Sequence, residues 1–284
     1  NNVYFWNEQE GMCHGDVKEG YFEIYTTVNG GNTWQRVPQA NITGGTPASG
    51  EGGWTSVIET TGDNTIMFGT NKSKVYISDD RGFHWRVTST GITPATNGGI
   101  NLIAFTDPNN GIVAQTQGTV AIKKTSNGGV SWETLTPNGP FLVSDLMTVP
   151  GSANTYVSTG AAAGGTGVSY SFDGGLNWTY FGGTSSKQFL AGDFYDNTSG
   201  YVGGFNENQH NGGMFRMIGE LGSAAAGAQI EVTPEEFNLT VNAGEIVSNP
   251  LTIGNYGDLA LVWSIAIDPV SATWLTVDPA TGST

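Results

Sequence analysis

SFDGGLNW, residues Ser171 to Trp178, is one of four copies of a single pattern: Ser or Thr, any residue, Asp or Asn, any residue, Gly, any residue, a small polar residue or His, then Trp. The others are TVNGGNTW (Thr27 to Trp34), SDDRGFHW (Ser78 to Trp85) and TSNGGVSW (Thr125 to Trp132). Their tryptophans stand 51, 47 and 46 residues apart. A fixed period in that range marks an array of small repeated sheets. Around each octad the same order of elements can be read. A strand is followed by a turn rich in Asn, Asp and Gly, a second strand, a third strand ending in the octad, and a last strand after the Trp. A fifth copy starts at Gln188–Phe194, turns at Asp196–Gly200 and continues through Tyr201–Phe205 and Gly213–Ile218, without an octad. Four strands per repeat at this period describe the blades of an all-β propeller.

The octad resembles the Asp-box, or BNR repeat, of sialidases, sortilins, xyloglucanases and photosystem-assembly propellers. Four copies in phase with the blade period make the resemblance specific. Its mechanics follow from the residue types. The Asx side chain accepts backbone N–H groups in an Asx-type turn, Gly permits positive φ, and Trp supplies a large packing surface. Two copies carry Asn (Asn29, Asn127) and two carry Asp (Asp80, Asp173). A catalytic or calcium-binding role would be sensitive to that loss of charge, whereas a turn fastener would not. Asn29, Trp34, Asp80, Trp85, Asn127, Trp132, Asp173 and Trp178 are therefore read as structural.

Composition supports an all-β chain. Gly makes up 43 of 284 residues, about twice the usual ~7%. Residues 219–229 are small and read as a linker after the propeller, 1–218. Residues 230–284 alternate strand-like runs with Pro and Gly turns, and resemble the Ig-like β-sandwich modules of bacterial surface proteins, with Trp263 and Trp274 as core residues. Such a domain needs ~100 residues, so this one is expected to be truncated. The opening NNVYFW is already strand-like, and Asp-box relatives resemble larger rings, so further blades are expected before Asn1.

The formal charge is −15, from 10 Lys+Arg and 25 Asp+Glu. That balance disfavours nucleic acid and anionic membrane surfaces, and no apolar run is long enough for a spanning helix. Cys13 is the single cysteine and reads as a buried thiol. His14, His84 and His210 are too dispersed for a local ligand set, and no EF-hand or phosphate-cradle pattern occurs. No metal or cofactor is expected.

With the octads and the first turns on one face, the opposite face carries the loops after the second strand, the blade connections and the long stretch Pro38–Gly53. Candidate ligand contacts there are Asp16, Glu19, Glu51, Lys72, Asp193, Glu207 and His210. The sialidase resemblance implies three clamping arginines. Of Arg36, Arg81, Arg86 and Arg216, Arg36 and Arg86 follow octad tryptophans, Arg81 lies within an octad, and only Arg216 is left, so that activity is not expected. A xyloglucanase-type hydrolase needs an acid and a base about 6.5–9.5 Å apart, and no spacing here marks such a pair.

The expected function is that of a non-catalytic secreted or cell-surface binding or scaffold protein, with a protein or glycan ligand on the loop face. The combination of propeller and Ig-like module resembles exported Bacteroidetes proteins handled by type IX secretion. That resemblance implies contact with secretion or surface-anchoring machinery. The alternatives are a glycoside hydrolase with its carboxylates on the loop face and a stalk or filament subunit.

Overall fold

In the computed structural model, each octad closes the turn between the third and fourth strands of a small antiparallel sheet. The structure describes residues 1–162, 164–206, 212–221, 230–234, 236–242, 244–255, 261–267 and 272–283. Two compact units are present, Asn1–Gly219 and Glu220–Thr284.

The first unit holds five blades. Blade 1 is β1 (Asn2–Phe5), β2 (Gly11–Lys18), β3 (Tyr21–Thr27) and β4 (Gln35–Arg36). Blade 2 contains β5 (Ile42–Thr43), β6 (Gly53–Thr61), β7 (Thr65–Thr70), β8 (Lys74–Ser78) and β9 (Trp85–Ser89), in the order β5-β9-β8-β7-β6. Blade 3 is β10 (Leu102–Phe105), β11 (Gly111–Gln115), β12 (Ala121–Thr125) and β13 (Glu133–Thr134); blade 4 is β14 (Asp145–Thr148), β15 (Tyr156–Ala162), β16 (Gly165–Ser171) and β17 (Thr179–Tyr180). Blade 5, lacking an octad, has three strands among the described residues: β18 (Phe189–Asp196), β19 (Ser199–Asn206) and β20 (Gly212–Arg216). The first strands contact one another in sequence, β1 on β6, β6 on β10, β10 on β14 and β14 on β18.

The core lies between blades because alternate residues of each strand face opposite neighbours. Met12, Phe22 and Ile24 of blade 1 meet Phe68, Tyr76 and Trp85 of blade 2. Met67, Val75 and Ile77 of blade 2 meet Ile103, Phe105 and Val113 of blade 3. Ile112, Ala114 and Leu135 of blade 3 meet Leu146, Tyr156 and Trp178 of blade 4.

The blades alternate in build. In blades 1, 3 and 5 a Phe at or near the end of the first strand stands opposite a Gly: Phe5 with Gly11, Phe105 with Gly111, Phe194 with Gly200. A Cβ on those glycines would stand 2.7, 2.4 and 2.2 Å from the ring, so the pairing excludes any larger residue. Blades 2 and 4 put Thr60 opposite Ile66 and Thr148 opposite Tyr156 instead.

The connections alternate too. Pro38–Gly53, expected on the loop face, first runs down the outer edge of blade 2. There β5 adds to β9 as a parallel strand, Ile42 beside Trp85 and Thr43 beside Arg86. Blade 4 repeats this with a single parallel bridge, Asn138 beside Asn177. Asn138 N donates to Leu176 O at 2.7 Å, and Trp178 N donates to Asn138 O at 2.8 Å. Gly44 and Gly139 permit the close approach. Their φ values are +93° and +91°, and a Cβ would lie 2.5 Å from Val87 O or 2.3 Å from Trp178 O. The octad tryptophans follow the same rhythm. Trp85 and Trp178, under these added edges, are 2% and 4% exposed, whereas Trp34 and Trp132 are half-buried.

In the second unit the described residues form two antiparallel ribbons, β21 (Ile230–Thr233) with β22 (Thr252–Asn255) and β23 (Val262–Ser264) with β24 (Thr281–Ser283). Trp263 is half-buried. Trp274, expected in a sandwich core, is 83% exposed, because no described strand covers it.

Candidate functional site

The four octads bond alike. The Ser or Thr hydroxyl donates to the Asx Oδ1 (Thr27 to Asn29 at 3.0 Å, Ser78 to Asp80 at 2.9 Å, Thr125 to Asn127 at 2.9 Å, Ser171 to Asp173 at 2.8 Å). The same Oδ1 accepts the backbone N–H of the seventh residue, Thr33, His84, Ser131 or Asn177, at 2.8–3.0 Å. Only His84 and Asn177 use the second Asp oxygen, so Asn serves equally as a fastener. The fourth octad residue donates its N–H to the first turn of its own blade: Gly30 to Gln9 O, Arg81 to Asn64 O, Gly128 to Asn109 O, Gly174 to Asn154 O. Octads and first turns thus share a face, and the remaining loops lie opposite.

On that opposite face the connection 38–53 borders a half-open cavity of about 260 Å³ between blades 1 and 2. Tyr21, Phe22 and Tyr76 line it with Ile42, Pro47, Gln39 and Thr46, and the surface it presents is more polar than apolar. Tyr76 is fully buried, stacked on Phe68 at 4.9 Å and edge-on to Phe22 at 4.7 Å. Its hydroxyl has no hydrogen-bond partner, an uncommon and costly state for a buried donor. Burial and the charge of Glu51 hold that phenol well above its ordinary range. At the rim the Arg36 guanidinium lies 3.9 Å from the Tyr21 ring centroid.

Most sequence-selected residues are tied into this scaffold. The Glu51 side chain is fully buried and pairs with Lys74 Nζ at 2.8 Å. It also accepts Thr70 Oγ1 at 3.1 Å and Ala48 N at 2.7 Å. It therefore clamps the connection and does not face solvent. Glu19 pairs with Arg36 at 2.8 Å, and exposed Asp16 accepts from Asn1 Nδ2 at 2.9 Å. Lys72 is half-buried in the β7–β8 turn, where its N–H donates to Thr70 Oγ1. Glu207 and His210 lie outside the described residues. Cys13, expected buried, is half-buried, and burial pushes its thiol up. His14 is buried against Phe68 at 4.0 Å, and burial lowers its pKa to about 4.

Asp193 belongs to a second grouping, along the inner strands. Burial holds the Glu59 carboxyl well above the usual carboxylate range, reinforced by the charges of Asp193 and Asp145. Burial also raises Asp145, against hydrogen bonds from Gly192 N (3.0 Å) and Leu146 N (2.9 Å). Carboxyls from three blades thus lie near enough for their charges to act on one another. Glu59 and Asp145 are not among the candidates singled out in the sequence, although each is the one acidic residue of its first strand. Nothing in the sequence marks the Tyr76 hydroxyl as unpartnered.

No family model and no curated protein match the chain. Solved structures do. A GH74 enzyme from Niastella koreensis aligns with a TM-score of 0.50 at 21% identity, covering 76% of this chain and 29% of that one. YCF48 bound to D1 peptide aligns at 0.48 and 17% identity, covering 81% of this chain and 70% of that one. NanB sialidase from Streptococcus pneumoniae aligns at 0.45 and 15%, covering 71% and 37%. The chain spans less than a third of the GH74 enzyme's length. At these identities the likeness is one of fold, the β-propeller.

Proposed function

We propose that the chain is a non-catalytic binding protein whose loop face takes a neutral group of a protein or glycan ligand in the cavity between blades 1 and 2. The observation that carries this reading is the Tyr76 hydroxyl, buried and unpartnered in the lining of an aromatic cavity. A ligand hydroxyl or carbonyl there would satisfy it, and Tyr21 lines the same pocket. No lining residue carries a formal charge, which favours a neutral group. The test is titration with a panel of neutral oligosaccharides and uncharged peptides, followed by NMR. Resonances around Tyr21 and Tyr76 should shift, and Tyr76→Phe should weaken binding about 5–10-fold. Absence of any perturbation at this cavity across the panel would refute the reading.

Glycoside hydrolysis is the second reading, favoured by the raised carboxyl of Glu59 beside Asp193 and Asp145. A carboxyl raised by burial beside further carboxyls has the makings of the general acid that such cleavage requires. Released reducing sugar that disappears in Glu59→Gln would establish it and displace the binding reading.

The protein is further proposed to be secreted or surface-attached, with the second unit as an Ig-like module and type IX export from a Bacteroidetes cell. This rests on the resemblances in the sequence. Fractionation of a producing strain, with the protein retained in the cytoplasm, would overturn it.

A further inference from the structure

The octad face carries guanidinium groups across two of its interblade grooves. Between blades 1 and 2, Arg81 occupies the fourth octad position, where the other copies have Gly30, Gly128 and Gly174. Its φ of +60° matches their +67°, +64° and +73°, so all four backbones are alike. The Arg81 side chain crosses the groove to an ion pair with Glu10, and its Nε donates to Asn64 Oδ1 at 2.8 Å and Asp63 O at 3.2 Å. Between blades 2 and 3, Arg86 reaches Gly128 O at 2.7 Å while paired to Asp79 at 3.3 Å.

The groove between blades 3 and 4 has the same frame without an arginine across it. Gly174 stands where Arg81 stands. Asn154, whose carbonyl receives the Gly174 N–H, takes the place of Asn64. Asn110 takes the place of Glu10, each ending an Asx turn one residue before the Gly that opens the second strand. What remains is a cleft of about 270 Å³, lined among others by Asn110, Ser131, Glu133, Asn154, Asp173 and Gly174. Acceptor groups persist where the filled groove holds its guanidinium.

We propose that this cleft receives the arginine side chain of a protein partner. A planar guanidinium fits several divergent acceptors better than an ammonium, and the formal charge of −15 steers basic partners toward the chain. Lys124 also lines the cleft, and its exposed ammonium competes with the incoming cation. The proposal concerns the octad face and is independent of the loop-face cavity.

The test is NMR titration of the full chain with Nα-acetyl-arginine amide and, in parallel, Nα-acetyl-lysine amide. The arginine compound should shift the Asn110, Asn154 and Gly174 amides saturably, with the lysine compound about 5-fold weaker or more. Gly174→Arg should abolish these shifts by filling the cleft from within. A Cβ at Gly174 meets nothing nearer than Asn154 Oδ1 at 3.9 Å, and Arg81 already holds the equivalent position at φ +60°, so this variant is expected to fold despite the positive φ of +73° at Gly174. Asn110→Glu and Lys124→Ala, which leave the backbone untouched, should each tighten binding. Equal response to both compounds, unchanged binding in Gly174→Arg, or no shift at these amides would each overturn the proposal.

Discussion

If the added edge strands set how deeply the octad tryptophans are buried, two chemically identical truncations must differ. Trp85 is 2% exposed, lies beneath β5, and donates its indole N–H to Gly82 O at 2.8 Å. A buried Trp removes about 150–250 Å² from water, worth ~5 kcal/mol at ~25 cal/mol per Å² as an upper figure. Buried Trp-to-Ala changes cost about 3–5 kcal/mol. Trp34 sits at the same octad position in blade 1, half-buried, with Phe5 edge-on at 5.8 Å. With no edge strand above it, its truncation should cost roughly 1–2 kcal/mol. For a unit of this size ~1 kcal/mol shifts Tm by about 2–4 °C. Scanning calorimetry of the full chain should therefore show Trp85→Ala falling by roughly 6–20 °C and Trp34→Ala by roughly 2–8 °C. Trp178→Ala should behave like Trp85→Ala, and Trp132→Ala like Trp34→Ala. Equal losses at all four positions would refute the alternation argument.

The clamp at Glu51 supports a second prediction: Glu51→Ala strands Lys74 and the Ala48 N–H and should cost about 3–5 kcal/mol. Glu19→Ala, at an exposed pair, should cost under ~1 kcal/mol; chemical denaturation distinguishes them. His14, with its folded pKa lowered to about 4 from 6.5, binds fewer protons folded than unfolded between those values. Stability should therefore fall by roughly 3 kcal/mol as pH drops from 6.5 to 4. In His14→Gln that part of the pH dependence should vanish from a Tm-versus-pH series. Glu59, raised in the folded state, acts in the opposite direction: its contribution weakens as pH rises above the unfolded carboxylate value. Glu59→Gln should raise Tm at neutral pH and leave it unchanged in acid. Tyr76→Phe removes an unsatisfied hydroxyl and should stabilise the unliganded protein by about 1 kcal/mol, read as a higher denaturant midpoint.

The octads were legible because their chemistry is local. A hydroxyl, an Asx oxygen, a Gly and a Trp within eight residues fix a turn, and the period fixes the sheet that each turn belongs to. The edge strand β5 was not legible. Ile42–Thr43 carries two residues of signal, and its partner lies 43 residues onward, Ile42 beside Trp85. Glu51 read as a solvated loop carboxylate because nothing local announces that Lys74 and Thr70 return beneath it. Trp274 read as core because its flanking pattern is strand-like, yet a pattern buries nothing until another sheet covers it. The site was therefore legible as a face and not as a cavity. Which residues line it depends on how one connection folds back across a neighbouring blade.

The parallel edge has a consequence for how such an array of blades is rebuilt. Because the chain leaving blade 1 completes blade 2, and the chain leaving blade 3 completes blade 4, the natural cutting point lies between pairs, in the stretches 90–101 and 182–188. Excising blades 1 and 2 together removes an edge and its occupant at once. Deleting blade 2 alone would leave Ile42–Thr43 to find a new strand, and blade 3 ends its outer edge on just Glu133–Thr134. Pairwise surgery, by duplication or deletion, is the operation this architecture tolerates.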